Sequence, residues 1–232
     1  LDGFLLNLLS RESGSGKTTV LHAINSIYGR PKELLMSPKD TYNFRMQRLG
    51  TLQNLCGTID EITNMPPEQM SNQVYDVTSG KGKNRMKSQE NAERLNHTKW
   101  ALPIVTTSNS SVRDKIASLK STYDGEMMRL MEFRIDLTDN IPKEKAAEIF
   151  GALYENYGHA ADIYCSYLVQ NRDKCIELVR KVQYKLDNDI GFQSRERFWS
   201  AQAACNIAGG LIAQSLGLHD YDMQKVYQWA VE

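Results

Sequence analysis

Residues 11–19 read Arg-Glu-Ser-Gly-Ser-Gly-Lys-Thr-Thr, and this loop constrains the chain more than any other stretch. It follows an apolar run, Phe4-Leu5-Leu6-Asn7-Leu8-Leu9, that predicts a buried strand. It precedes Val20–Tyr28, whose spacing predicts an amphipathic helix with Gly29 as its stop and Pro31 just beyond. A glycine-rich turn between a strand and a helix is the context of a phosphate-binding loop. Gly14 and Gly16 let the backbone approach an anion, so that successive N–H groups and the helix N-terminus point at phosphate oxygens. The candidate ATP-binding segment is therefore Ser13, Gly14, Ser15, Gly16, Lys17, Thr18 and Thr19. Lys17 would reach the β- and γ-phosphates, and the Thr18 hydroxyl would ligate Mg²⁺. The pattern GxxxxGK[ST] asks for glycine where this chain has Arg11, whose side chain is expected to strain the turn or crowd the phosphates. An ordinary Ser/Gly loop before a helix is the alternative, and the strand–loop–helix context argues against it.

Further along, Leu34–Ser37 predicts a second short strand, while residues 40–52 read as helix or loop. Leu55-Cys56-Gly57-Thr58-Ile59 then runs into Asp60-Glu61, a buried strand ending in two carboxylates. In that arrangement the first, Asp60, holds Mg²⁺ and the second, Glu61, polarises the attacking water. Exposed Asp-Glu pairs at strand ends are common, and the position after the phosphate loop favours the catalytic reading. Pro66-Pro67 opens a helix. A basic segment follows, with six basic residues against two acidic ones between positions 81 and 99. Lys81, Lys83, Arg85 and Lys87 alternate around glycines, as suits a hairpin that grips a phosphodiester backbone; a solvated surface loop fits the charge pattern equally. Trp100–Val105 predicts another buried strand, ending in Thr106-Thr107-Ser108-Asn109, where a polar tip could sense a γ-phosphate or form a plain turn. Residues 130–137 alternate Met131, Phe133 and Ile135 with polar positions as a strand should, and Arg129 and Arg134 are candidate transition-state arginines or its exposed face.

From Thr138 to Pro142 the pattern changes. Beyond it, apolar residues recur at helical spacing in three sets, which include Phe150, Val182 and Ala208, and Asp220 and Asp222 flank a last helix start. The Tyr, Cys and Met residues of these helices read as core. The expected organisation is an α/β domain over 1–140 and an all-helical region over 141–232.

Composition narrows the function. With 28 basic and 28 acidic residues, the chain does not coat nucleic acid over its whole surface, so any such contact is local. No run approaches the ~20 apolar residues of a membrane span, and no signal-peptide pattern opens the sequence. The four cysteines, Cys56, Cys165, Cys175 and Cys205, lack C-x-x-C pairing and His partners at zinc spacing, as expected of reduced thiols in a cytoplasmic protein. The opening Leu1-Asp2-Gly3 reads as the start of a fragment of a longer polypeptide.

The order of these motifs resembles the AAA+ branch of P-loop NTPases, and within it the superfamily 3 helicases of viruses and phages. Thr107-Ser108-Asn109 looks like that superfamily's third motif, and the basic loop falls where its pore-lining hairpin lies. Nearly the whole chain is also similar to the helicase-like family catalogued as domain-of-unknown-function 927, carried by phages and plasmids, often beside primases. The likeness is carried by Thr58–Ile62, Thr78–Arg85, Trp100, Gly125–Leu130, Asn156–Ala160 and Arg195–Phe198. It implies an α/β AAA+-type P-loop NTPase core with a parallel sheet in the order 5-1-4-3-2, followed by a helical region. It also implies that Arg129 reaches a neighbouring subunit's nucleotide and that Arg197 is a second sensor from a helical lid, while the likeness to superfamily 3 helicases implies that Asn109 senses the γ-phosphate.

The expected function is an ATP- and Mg²⁺-dependent DNA motor, a ring-forming replicative helicase of a phage or mobile element. Its expected partners are single-stranded DNA, further copies in a hexamer, and a primase, in the host-cell cytoplasm and without a membrane. Two alternatives stand beside it: a catalytically weakened P-loop scaffold, as Arg11 hints, and an ATPase acting on protein or in DNA packaging. An ABC-type ATPase fits poorly, because the chain has no L-S-G-G-Q-like signature.

Overall fold

The structure is a computed structural model that describes residues 2–12, 14–86, 93–94, 98–119, 124–135 and 142–232. The chain divides into two compact units, Leu1–Asn156 and Tyr157–Glu232.

In the first unit the long apolar runs become the centre of a parallel sheet. Its strands are β1 (Gly3–Leu9), β2 (Leu35–Met36), β3 (Gly57–Ile59), β4 (Leu102–Ser108) and β5 (Leu130–Arg134), side by side as β2-β3-β4-β1-β5. Read from the other edge this is 5-1-4-3-2, as expected from the resemblance. All four pairings are parallel. Strands buried on both faces need near-continuous apolar sequence, which explains Leu5, Leu102 and Ile104, all essentially without solvent contact.

Helices α1 (Lys17–Ser26), α2 (Tyr42–Leu52), α3 (Pro67–Ser79) and α4 (Val112–Ala117) connect the strands. Helix α2 occupies the stretch that read as helix or loop. Thr41 caps it, its hydroxyl accepting from the Phe44 N–H, and the fully buried Arg45 interrupts its apolar face. Helix α3 supplies Met70, Val74 and Val77 to the core, and the Trp100 indole donates to the Val77 carbonyl at 2.8 Å. The expected boundary at residue 140 lies among residues 136–141, outside the described ones. Helix α5 (Lys143–Glu155) comes after it and belongs to the first unit, where Phe150 and Tyr154 pack on His22 of α1.

The second unit comprises α6 (His159–Gln170), α7 (Arg172–Ile190), α8 (Arg197–Ser215) and α9 (Met223–Val231). Val182 and Leu186 of α7 pack with Ala204, Ile207 and Ala208 of α8. Asp222 caps α9, accepting from the Gln224 and Lys225 N–H groups. Not every Tyr and Cys of these helices is core: Tyr184 is 72 % exposed and Cys205 is exposed, because each lies on the solvent side of its helix. Among the described residues, no helix is long and apolar enough to cross a membrane.

Candidate nucleotide-binding site

In an open parallel sheet, ligands collect outside the carboxyl ends of the strands, where the chain reverses its direction of travel across the sheet. Here β1 is flanked by β4 and β5, and the carboxyl ends of β1, β3 and β4 carry the three motifs read from sequence.

The loop after β1 turns through two left-handed glycines, Gly14 with φ 80° and Gly16 with φ 78°. Side chains other than glycine rarely adopt that conformation, so these two positions explain the Gly-x-Gly spacing. Gly16 is also the N-cap of α1 and makes no side-chain cap, so the first-turn N–H groups of the helix face the loop without a capping side chain. Arg11 is exposed, and the described non-glycine residues with positive φ are Gln53 and Glu61 alone. The turn therefore does not strain Arg11. Ser13 lies outside the described residues.

Lys17 is buried, and its ammonium group gathers four oxygens: the Ser10 carbonyl at 3.0 Å, the Glu12 carbonyl at 3.2 Å, Ser15 Oγ at 3.1 Å and Asn109 Oδ1 at 3.0 Å. Thr18, one residue on, donates from Oγ1 to the Asp60 carboxylate at 3.2 and 3.3 Å. Thr19 follows on the same first turn of α1. Asn109 uses the other end of its amide as well, donating from Nδ2 to Glu61 Oε1 at 2.9 Å. One amide thus joins the loop lysine to the second carboxylate. Glu61 itself is held in the left-handed region at φ 49° and ψ 53°, an uncommon state for a non-glycine residue.

Thr107, which has no solvent contact, ties the carboxylate pair together. Its hydroxyl donates to Asp60 Oδ1 at 2.5 Å and accepts from the Glu61 N–H at 2.9 Å. Sequence reading placed Thr107 in a motif without giving it this role; only the register of β3 beside β4 brings its hydroxyl to Asp60. His22, one turn beyond Thr18, is another residue the sequence did not single out. It is buried against Phe150, and Tyr154 Oη lies 3.1 Å from its Nδ1. Burial pushes the imidazole below its ordinary value, against the pull of Asp60 and with a smaller push from Lys32.

The structure gathers Lys17, Thr18, Asp60, Glu61 and Asn109 but leaves Arg129 apart. The Arg129 carbonyl accepts from the Leu5 N–H, at the amino end of β5. Ser10 is five residues further along the parallel neighbour, about 16 Å at strand rise. The Arg129 guanidinium sits over the Tyr75 ring at 4.6 Å and donates to the Gly125 carbonyl at 2.6 Å. Arg134 lies instead at the carboxyl end, paired in register with Leu9. Arg197 opens α8 in the second unit, its guanidinium 5.2 Å from the Phe198 ring centre.

The basic segment is a hairpin where it is described: residues 85–86 pair antiparallel with 93–94, and Lys81 bridges Lys99 below them. Lys81 is exposed. Lys83 also faces its own fold, with Nζ 3.9 Å from Asp76 and 4.6 Å from the Tyr42 ring centre. Of Arg85 only the backbone is described, and Lys87 lies outside the described residues.

Residues 1–98 match the family model of a domain of unknown function (DUF927). A solved structure described as "SCCmec type IV Cch - active helicase" superposes on 98% of this chain with a TM-score of 0.77 at 19% identity. The fold is that of a P-loop NTPase core. This chain spans 41% of that helicase's length. A second structure, NtrX from Brucella abortus in complex with ADP, gives a TM-score of 0.35 at 12% identity over 92% of this chain and 46% of its own, too low to carry an argument. No curated protein matches the chain.

The donor set suits a magnesium nucleotide. Thr18 and Asp60 offer hard oxygens, and Mg²⁺ is typically held by one or two protein oxygens together with phosphates and water. Among the described residues, no group of three or more His, Cys, Asp or Glu side chains could hold a metal ion.

Proposed function

We propose that this chain is the ATPase core of a helicase-type motor that acts on single-stranded DNA. The observation that carries the reading is the Asn109 amide, bonded at one end to Lys17 and at the other to Glu61. Lys17 would exchange its loop carbonyls for the β- and γ-phosphates of ATP. That exchange loosens its bond to Asn109 and leaves the amide free to turn to the γ-phosphate, which releases the Glu61 carboxylate to orient the attacking water. Thr18 and Asp60 would hold Mg²⁺, which supplies neutralisation of the charge that develops on the phosphate oxygens. Thr107 keeps Asp60 and the Glu61 backbone in fixed relation while this occurs.

Arg129 acts on a second copy's nucleotide, since it lies at the far end of the sheet from its own loop. Copies would assemble into a ring, with six the expected number. A trans arginine is worth roughly 10³–10⁵ in rate, so an isolated copy turns over slowly. Lys81, Lys83, Arg85 and Lys87 would contact the DNA backbone, with Lys83 also near Asp76 and the Tyr42 ring of its own fold. Backbone contacts of this kind bind without sequence preference and weaken with salt.

The test is ATP hydrolysis with and without single-stranded DNA, at concentrations where self-association is measured in parallel, with Lys17→Ala as the blank. Turnover that DNA stimulates and the blank lacks is the expected result. Equal rates in both proteins would remove the motor reading.

A further inference from the structure

The turn that follows β4 is held by two residues, one on β1 and one on β5, that the proposed chemistry does not use. Asn7 lies in the middle of β1, in register with Thr106 of β4 on one side and Glu132 of β5 on the other. Its amide is fully buried and spans the row. Nδ2 donates to Ser108 Oγ and to Glu132 Oε2, each at 2.8 Å, and Oδ1 accepts from Thr106 Oγ1 at 2.8 Å. The Glu132 carboxylate also accepts from Ser111 Oγ at 2.7 Å and from the Val112 N–H at 2.8 Å. Ser111 is in turn the N-cap of α4, accepting from the Asp114 N–H.

Ser108 and Ser111 are therefore the two shoulders of the turn whose exposed apex is Asn109, and both are anchored on the Asn7–Glu132 pair. A buried amide beside a half-buried carboxylate is a costly way to fill a parallel strand, because each group must find a partner. What a satisfied network adds is a single geometry. Asn109 needs one, because its amide meets Lys17 at 3.0 Å and Glu61 at 2.9 Å at once. Misplacement of a reacting group by about 1 Å costs on the order of 10²-fold in rate.

We propose that Asn7 and Glu132 are positioning residues that fix the turn at 108–111 and, through it, the point from which the Asn109 amide turns from Lys17 and Glu61 to the γ-phosphate; the inference rests on the ATPase reading above. Hydrogen-bond acceptance rather than charge is the property that matters at 132. In Glu132→Gln the amide oxygen takes over the bonds from Asn7 and Val112, while the NH₂ donates to Ser111 Oγ. Glu132→Met keeps the length and removes every acceptor. Asn7→Asp removes the donor and sets two carboxylates against each other.

The experiment compares these three variants by kcat and KM for ATP hydrolysis, by binding of a fluorescent ATP analogue, and by hydrogen exchange of the segment 108–113. Glu132→Met and Asn7→Asp are expected to lower kcat about tenfold or more and to speed exchange at the Val112 amide, with nucleotide affinity held within about threefold. Glu132→Gln should stay within about threefold of the parent in every readout. In an Asn109→Ala background, Glu132→Met should cost nothing further, since coupled residues are not additive. Parental kcat in a folded Glu132→Met, or full additivity with Asn109→Ala, would overturn the proposal. Should Glu132→Met not fold, Ser111→Ala, which frees one shoulder, takes its place with the same expected result. Hydrolysis that survives Lys17→Ala would defeat the ATPase reading instead, and the exchange rate at Val112 would still decide whether Glu132 tethers the turn.

Discussion

Replacing Thr107 with valine, which has the same shape, removes one oxygen from the centre of the site. Two bonds go with it: the donation to Asp60 at 2.5 Å and the acceptance from the Glu61 N–H at 2.9 Å. A hydrogen bond to a charged group contributes about 1.5–3 kcal/mol, and a buried donor left without a partner costs about 1–3 kcal/mol. Asp60 is only half-buried and keeps its contact with Thr18, so the lower half of that combined range applies. The expected loss is about 3 kcal/mol. Thr107→Ser keeps the hydroxyl and loses one buried methyl, about 1 kcal/mol. Urea unfolding measures both if the signal comes from the first unit alone. Trp100 is buried there, so a background with Trp199→Phe and Trp229→Phe isolates it. At a urea slope of about 2 kcal/mol/M, the valine variant should move the midpoint down by about 1.5 M with the slope unchanged. A valine variant within about 0.5 kcal/mol of the parent, or a serine variant that falls as far as valine, would refute the reasoning.

Two further outcomes are expected. The His22 value is lowered by burial from its ordinary 6.5, so the unfolded chain takes up a proton first as the solution is acidified. Its contribution to stability is complete above 6.5 and is lost as pH falls through the lowered folded value, so His22→Gln should flatten the decline in urea midpoint of the first unit below pH 6.5, and an unchanged decline would sink the assignment. In the loop, Gly16→Ala forces a side chain into a left-handed position at a cost of about 1–2 kcal/mol, which should weaken binding of a fluorescent ATP analogue about tenfold. In the same titration Arg11→Gly should change affinity less than about threefold, because position 11 makes no left-handed demand.

What could be read from the sequence was what a local pattern encodes. Gly14, Gly16, Lys17 and Thr18 form a contiguous motif, and Asp60, Glu61 and Asn109 each follow an apolar strand. A parallel sheet puts the carboxyl ends of its strands on one rim, so the order of motifs already implied their convergence. Thr107, Asn7 and Glu132 were not legible in the same way. A lone polar residue in an apolar run reads as an interruption, and Glu132 read as one step of an alternation toward solvent. Their partners lie 20 to 125 residues away and are brought together only by the fold. Lys83 carries contacts that a charge pattern does not show, an ion pair with Asp76 and the Tyr42 ring, while its side chain stays largely exposed. Helix α2 stayed open between helix and loop because the buried Arg45 breaks its apolar period, although Thr41 stood at its start as a capping signal.

The backbone of Glu61 sets a trap for anyone selecting this protein for robustness. Its φ of 49° is one that glycine adopts freely and asparagine tolerates, whereas glutamate spends on the order of 1–2 kcal/mol to remain there. A screen that rewards resistance to heat alone will therefore drift toward Glu61→Gly or Glu61→Asn. The variants it returns will be sturdier proteins that have discarded the carboxylate facing Asn109.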